Sequence, residues 1–329
     1  MVEMGVDNMA VEQVQTEQSK KALKKQLKKQ LKKQTRIRMT KEDKVFSLVT
    51  YTVLSLLMVL MIYPFIYVIA TSISQPSEVM KGSVWLLPKG FDLTAYKQMI
   101  GHPLFLSSYK NTIMYAVVGT VLTLFFTALT AYPLSREKFK MKGFISKFYL
   151  VTMFFGGGMI PTYIAMKNLH LVDTFWVMVI PGAVSAWNVI LMRSFFKTIP
   201  ESLHESAYLD GASDFQVLGK IVVPLSKPIF ATIGLFTMVG HWNNFFSGLL
   251  YLNDSSKYPL QLILRNILFN ASFTANSSEV GAMADMMQYT STESLKAASI
   301  VITMLPIMCI YPFVQKYFVK GVMIGSIKG

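Results

Sequence analysis

Cysteine, histidine and acidic side chains are scarce in this 329-residue chain, and each scarcity removes a class of function. The one cysteine, Cys309, sits inside an apolar run. It leaves no disulfide framework or zinc cluster to build within the chain and makes a poor nucleophile, so its expected role is packing. The four histidines, His102, His170, His204 and His241, are scattered without metal-ligand spacing. A phosphate-binding loop is also missing: Gly219-Lys220 is followed by Ile221 where that loop needs Ser or Thr, and Asp214 stands where its first glycine belongs. The chain is therefore not expected to be an enzyme, to hydrolyse ATP or to carry a metal or other cofactor.

What is abundant is apolar. Hydrophobic residues make up 52% of the chain, charged residues only 15%, and the mean hydropathy is +0.42, which describes an all-α, multi-pass membrane protein. Six runs approach the roughly 20 residues needed to cross a bilayer: about 48–71, 110–133, 145–166, 174–195, 228–250 and 297–318. Pro64, Gly156-Gly157-Gly158 with Pro161, Pro181, and Pro306 with Pro312 predict broken helices within them. None of the six cores holds Asp or Glu, which argues against a proton-coupled secondary transporter, the competing class. A non-transporting membrane scaffold is a third reading.

The net charge of +14 is concentrated at one end. Twelve lysines and arginines lie between Lys20 and Lys44 against only Glu42 and Asp43, so a nucleic-acid surface is not implied. The period-four run KKALKKQLKKQLKKQ places Leu23, Leu27 and Leu31 on one drifting helical stripe. Residues 1–44 therefore read as a polybasic cytoplasmic tail that either lies on anionic lipid or only enforces orientation. With that tail inside, inner segments carry 24 basic residues and outer segments 8, which places both termini and the segment 199–224 in the cytoplasm of a multi-pass protein. The two outer loops, about 75–109 and 251–296, either dock a soluble partner or cap the bundle.

Glu201 to Pro224, ESLHESAYLDGASDFQVLGKIVVP, is a polar island between apolar runs. Thr198 and Glu201 have capping-box spacing for a helix ending near Leu209, Asp210-Gly211 is turn chemistry, and Ser213 with Gln216 repeats the box for a second helix. Pro224 is expected to mark a boundary. Glu205-Ser206-Ala207, Asp210-Gly211-Ala212, Ile221 and Pro224 closely resemble the EAA loop of ABC-importer permeases, with Ser206 in place of Ala and Val223 in place of the common Leu.

The ending YPFVQKYFVKGVMIGSIKG resembles the C-terminus of maltose-type carbohydrate permeases, and Gly325, Lys328 and Gly329 match its ATPase-contacting tail. FFGGGMIPTY, GHWNNFF, YLND and YPLQ are similar to the branch that imports oligosaccharides, including uronic-acid and polysaccharide fragments. This resemblance implies a six-helix type I ABC importer permease domain over 45–319, a cytoplasmic tail at 320–329 and a bacterial plasma-membrane location. It also implies a second homologous permease making a heterodimer, two ATPase subunits that bind the ATP and Mg, and an extracellular sugar-binding protein. Glu205, Ser206, Ala207, Asp210, Gly211, Ala212, Ile221 and Pro224 are then the ATPase-coupling residues.

Polar and aromatic groups at membrane depth supply a candidate substrate path: Asn188 beside Trp187, and His241, Trp242, Asn243 and Asn244. Amides satisfy sugar hydroxyls where water is scarce, and indole stacks on apolar sugar faces. For each of these residues, and for Asn111, an interhelical hydrogen bond that only holds the bundle together is an equally good reading. Four consecutive helical residues cannot share a face, so at most two, with Trp242 and Asn243 preferred, should meet a cavity.

Overall fold

The first long helix starts where the sequence supplies a capping box. The Thr40 hydroxyl accepts from the Asp43 N–H at 3.1 Å, and the Asp43 carboxylate accepts from the Thr40 N–H at 2.9 Å. Residues 40–276 and 291–325 are described by the computed structural model. The expected tail helix over 20–39 and the residues Lys328 and Gly329 lie outside them.

Helix α1 is Lys41–Ser72. It is followed by α2 (Pro76–Met80), α3 (Thr94–Ile100) and the 31-residue α4 (Phe105–Ser135). Next come α5 (Lys142–Phe154), α6 (Met159–Asn168), a 3-10 turn at Phe175–Met178 and α7 (Ala186–Phe196). The polar island forms α8 (Glu201–Leu209) and α9 (Asp214–Leu225), and α10 (Lys227–Trp242), α11 (Phe246–Tyr251), α12 (Leu260–Asn276) and α13 (Thr292–Gly325) complete the order. Among the described residues the one extended pairing is a single bridge, Ser74 to Phe91. The described residues fall into two contact units that divide after Pro64, within α1.

Three helices, α1, α4 and α13 through Phe313, are long and apolar enough to cross a membrane, and two bent pairs bring the number to five. The sequence offers six candidate runs with breaks expected at their prolines and glycines, and the breaks fall at only some of those positions. The breaks expected at Pro64, Pro306 and Pro312 do not form, and all three sit inside continuous helices; near Pro306 the Thr303 carbonyl accepts from the Trp242 indole, an outside partner in the turn the proline loosens. Gly156-Gly157-Gly158 does break its run. Gly158, at φ +84°, starts α6 at 116° to α5. Around Pro181 there is no single helix over 174–195; the chain makes a 3-10 turn and restarts at Ala186. The run 228–250 ends as a helix at Trp242 and resumes at Phe246.

The centre of the second unit is α4, which packs most extensively on α10 and α7. At its Ser135 end, Ala128, Ala131, Tyr132 and Leu134 join Met192, Phe196, Val217, Val222 and Ile233 in one core cluster. At its Phe105 end it meets Met99, Trp242, Leu260, Leu264 and Ala298 in another. Small and hydroxyl side chains, Gly119, Thr120, Thr123, Thr127 and Ala128, line the buried stripe between them and let neighbouring helices approach. Parts of both long connections pack on the bundle: Ala95 and Met99 of one are buried, and residues 256–258 of the other are held by Asn111, whose amide donates to the Ser256 and Tyr258 carbonyls at 2.7 and 3.2 Å. Asn111 thus takes the bundle-holding role. Cys309 does not pack inside as expected but lies exposed on α13.

Candidate functional site

The polar island folds as two short helices about a sharp turn. Thr198 does not cap α8: its hydroxyl donates to the Phe195 carbonyl at 2.7 Å, Pro200 occupies the cap position, and Glu201 is drawn instead to Arg136. That pair is bidentate, with Arg136 Nη1 and Nη2 at 2.9 and 2.7 Å from the two carboxylate oxygens. The other end follows the sequence closely. Ala212 N–H reaches the Ala207 carbonyl and Gly211 N–H the Tyr208 carbonyl, a Schellman ending that needs Gly211 at φ +79°. Ser213 and Gln216 then cap α9 reciprocally, at 3.4 and 2.9 Å. Pro224 stands one residue before the end of α9 at Leu225, and α10 starts at Lys227 after an 81° bend, so the expected boundary falls there. A π turn over Leu218–Val222 precedes the proline, and its wider ladder relieves the clash that the ring would make with the carbonyl four residues back.

Burial divides the predicted coupling residues into a root and a knob. Ala207 is buried against α4 and α7, and Ala212 and Ile221 are half-buried in the same cluster. Glu205, Ser206, Asp210, Gly211 and Pro224 are exposed. So are Leu209, at 89%, and Phe215, at 77%. Two large apolar side chains are thus held in the open beside a carboxylate-bearing turn.

Several residues that hold this knob are not apparent from the sequence motif. The Tyr208 hydroxyl donates to the Asp214 carboxylate at 2.6 Å and lies 3.4 Å from the Tyr132 hydroxyl of α4. His204 is buried under Tyr132, 6.3 Å between ring centroids, and its Nδ1 has no partner. Burial, with the Arg136 charge beside it, holds the imidazole below its ordinary value despite the opposing pull of Glu201. Tyr132, Arg136, Lys138, Tyr208, Asp214 and Phe215 line a cavity of 730 Å³ beside the knob. Arg136 stands out in the sequence only as one positive charge; its pairing with a carboxylate 65 positions away depends on the fold.

At the opposite end of α4 the predicted substrate-path residues separate. Trp242 is buried, donates its indole N–H to the Thr303 carbonyl at 3.1 Å and meets Tyr109 edge-on at 5.7 Å. One face also lines an apolar cavity of 250 Å³ with Tyr109, Val117, Met238, Pro306 and Ile310. His241 lies so close to α4 that a Cβ on Gly119 would come within 2.3 Å of its Nε2. Asn243 is exposed and accepts from Gln261 at 3.2 Å, while Asn244 caps the start of α11 through Ser247. The four do not form one helical run, because α10 ends at Trp242. Asn188 is half-buried on α7, and no hydrogen bond joins it to them. Gly325 ends α13.

A third arrangement ties the loops at that end. Asp173, at φ +58°, accepts from the Asn253 and Asp254 N–H groups and from Lys257 Nζ, all at 3.1 Å. The Asp254 amide first, and then Lys257, hold its carboxyl below the usual carboxylate range. Among the described residues no cluster of His, Cys, Asp or Glu has the makings of a metal site.

Residues 144–324, more than half the chain, match the family described as binding-protein-dependent transport system inner membrane component. The chain belongs to that family. It is 42% identical to protein LplC of Bacillus subtilis (strain 168), over 88% of this chain and 97% of that one. It is 38% identical to the polygalacturonan/rhamnogalacturonan transport system permease protein YtcP of the same organism, over 88% of this chain and all of YtcP. Among solved structures, a chain from the crystal structure of a bacterial ABC transporter involved in import of the acidic polysaccharide alginate superposes with a TM-score of 0.75 at 36% identity, covering 85% of this chain and 98% of that one. The resemblance carried by Glu205 to Pro224 thus holds at the level of family. As a family member the protein is an inner-membrane ABC permease subunit, a transport component and not an enzyme.

Proposed function

We propose that this permease subunit carries oligosaccharides across the bacterial plasma membrane and is driven by a separate ATPase that seats on the knob of α8 and α9. The observation that carries the coupling part is the exposed Leu209, Asp210, Gly211 and Phe215 on a root buried against α4, α7 and α10. The carbohydrate part rests on YtcP, named for polygalacturonan/rhamnogalacturonan transport, and on the transporter involved in import of the acidic polysaccharide alginate. In this reading six segments cross the membrane. The α5–α6 pair and the Pro181 run count as broken crossings, and both termini and the knob face the cytoplasm as the 24-to-8 basic asymmetry requires.

The partners follow: a second homologous permease completing a heterodimer, two ATPase subunits that bind ATP and Mg, and an extracellular sugar-binding protein that delivers substrate. Gly325, Lys328 and Gly329 are then the ATPase-contacting residues, and the basic run Lys20 to Lys44 either engages anionic lipid or only enforces orientation. Copurification of the assembled complex, followed by screening oligosaccharides against its extracellular component, tests the proposal. Recovery with an ATPase and a sugar-binding protein is the expected result, and recovery alone, with no ATPase under conditions that preserve the pair of permeases, contradicts it.

A further inference from the structure

A push on the knob has to reach the helices that line the far cavity, and the turn at Gly211 is a poor conductor on its own. Two short helices joined by one glycine can fold against each other and absorb the movement. Besides the buried root, a pair of polar ties opposes this, one ending on Tyr132 in the last turn of α4 and the other on Arg136 just after it. Arg136, the residue after that helix, holds Glu201 at the start of α8 through two parallel bonds. Its side chain is 12% exposed and that of Glu201 43%, so the pair is half open to water and its strength comes from the two parallel charge-assisted bonds. Tyr208 forms the second tie: its hydroxyl bonds Asp214 at the start of α9 and meets Tyr132 on α4, joining all three elements at one point.

Beyond the ties, α4 is an unbroken helix of 31 residues, about 46 Å long at 1.5 Å per residue. Its other end supplies Tyr109, Ile113, Ala116 and Val117 to the cavity beside Trp242. Along its length it packs on α10, which carries Trp242. A rigid element thus runs from the knob to the candidate path, fastened to both halves of the knob.

We propose that Arg136 and Tyr208 are positioning residues for transport: they clamp α8 and α9 to α4 so that movement of the knob is passed to α4 instead of being lost in the Gly211 turn. This rests on the coupling role proposed above. The residues touch neither substrate nor nucleotide in this scheme and act through α4.

The test uses the complete complex in proteoliposomes, reading sugar transported per ATP hydrolysed together with complex yield. Arg136→Gln and Glu201→Gln are each expected to lower that ratio by about fivefold or more, with ATP hydrolysis continuing. Exchanging the pair, Arg136→Glu with Glu201→Arg, is expected to recover much of it. Tyr208→Phe keeps the ring and removes only the hydroxyl ties, so it decides the matter if the charge variants assemble poorly. A normal ratio in Tyr208→Phe together with Arg136→Gln, or a charge exchange no better than the single changes, overturns the clamp. Gly211→Val separates this from failure of the coupling reading. If it uncouples while the clamp variants do not, the clamp alone is wrong, and if it too transports normally, the knob assignment falls with it.

Discussion

Substitution of Gly211 isolates backbone conformation from packing. Gly211 sits at φ +79°, and a Cβ built there meets nothing within 4 Å. No clash accompanies a side chain at this position, so the cost is that of holding an L-residue in the left-handed region. That cost is about 1–2 kcal/mol for Ala and about 1–3 kcal/mol for a β-branched residue. Asn, which visits this region readily, is expected to cost well under that of Val. The Schellman bonds from Gly211 and Ala212 and the Ser213–Gln216 box depend on this turn, so strain is relieved by unwinding the tip of the knob while its buried root stays in place. Transport by the assembled complex is expected to fall in the order Gly, Asn, Ala, Val, with membrane insertion unchanged in all four. If Asn impaired transport as severely as Val while Ala was milder, side-chain bulk and not φ would be responsible and the reasoning would fail.

Gly119→Ala is expected to destabilise the protein by about 1–3 kcal/mol through overpacking against His241, and His241→Ala in the same chain to restore much of the loss; thermal denaturation of the two variants checks it. Trp242→Phe removes the bond to the Thr303 carbonyl and is expected to cost about 1 kcal/mol or more of stability for every substrate alike. Asn243→Ala, at an exposed position, is expected to leave stability nearly unchanged while altering uptake unequally for oligosaccharides of different length. Because His204 is held below its ordinary 6.5, chiefly by burial with Arg136 adding to it, its neutral form contributes stability that is fully present above that pH and lost as pH falls toward the lower folded-state value. Acid titration of the complex should show that loss in the wild type and a smaller one in His204→Gln.

The motif at Glu205 to Pro224 was legible because its signals are local: a Schellman glycine and a capping box act within six residues, and both form as the spacing predicts. The Thr198–Glu201 box failed because a nonlocal competitor, the Arg136 guanidinium, offers Glu201 two charge-assisted bonds in place of one weaker cap. Hydropathy located apolar runs but not continuous helices. It weighs Pro306 and Pro181 alike, whereas the fold supplies Trp242 near the first and ends the helix at the second. The candidate path was least legible. Asn244 was spent on capping, Trp242 on a backbone carbonyl and Asn111 on a loop, and amide or indole chemistry alone does not distinguish these uses from sugar recognition.

The central claim, ATP-driven import of an oligosaccharide through a knob-coupled permease, is tested most directly by uptake of a labelled uronic-acid oligosaccharide into proteoliposomes holding the full complex. Uptake that requires lumenal ATP and the external sugar-binding protein, survives a proton ionophore and is abolished by Gly211→Val is the predicted result. Uptake that proceeds without ATP and collapses with the ionophore would contradict it and make the protein a secondary transporter.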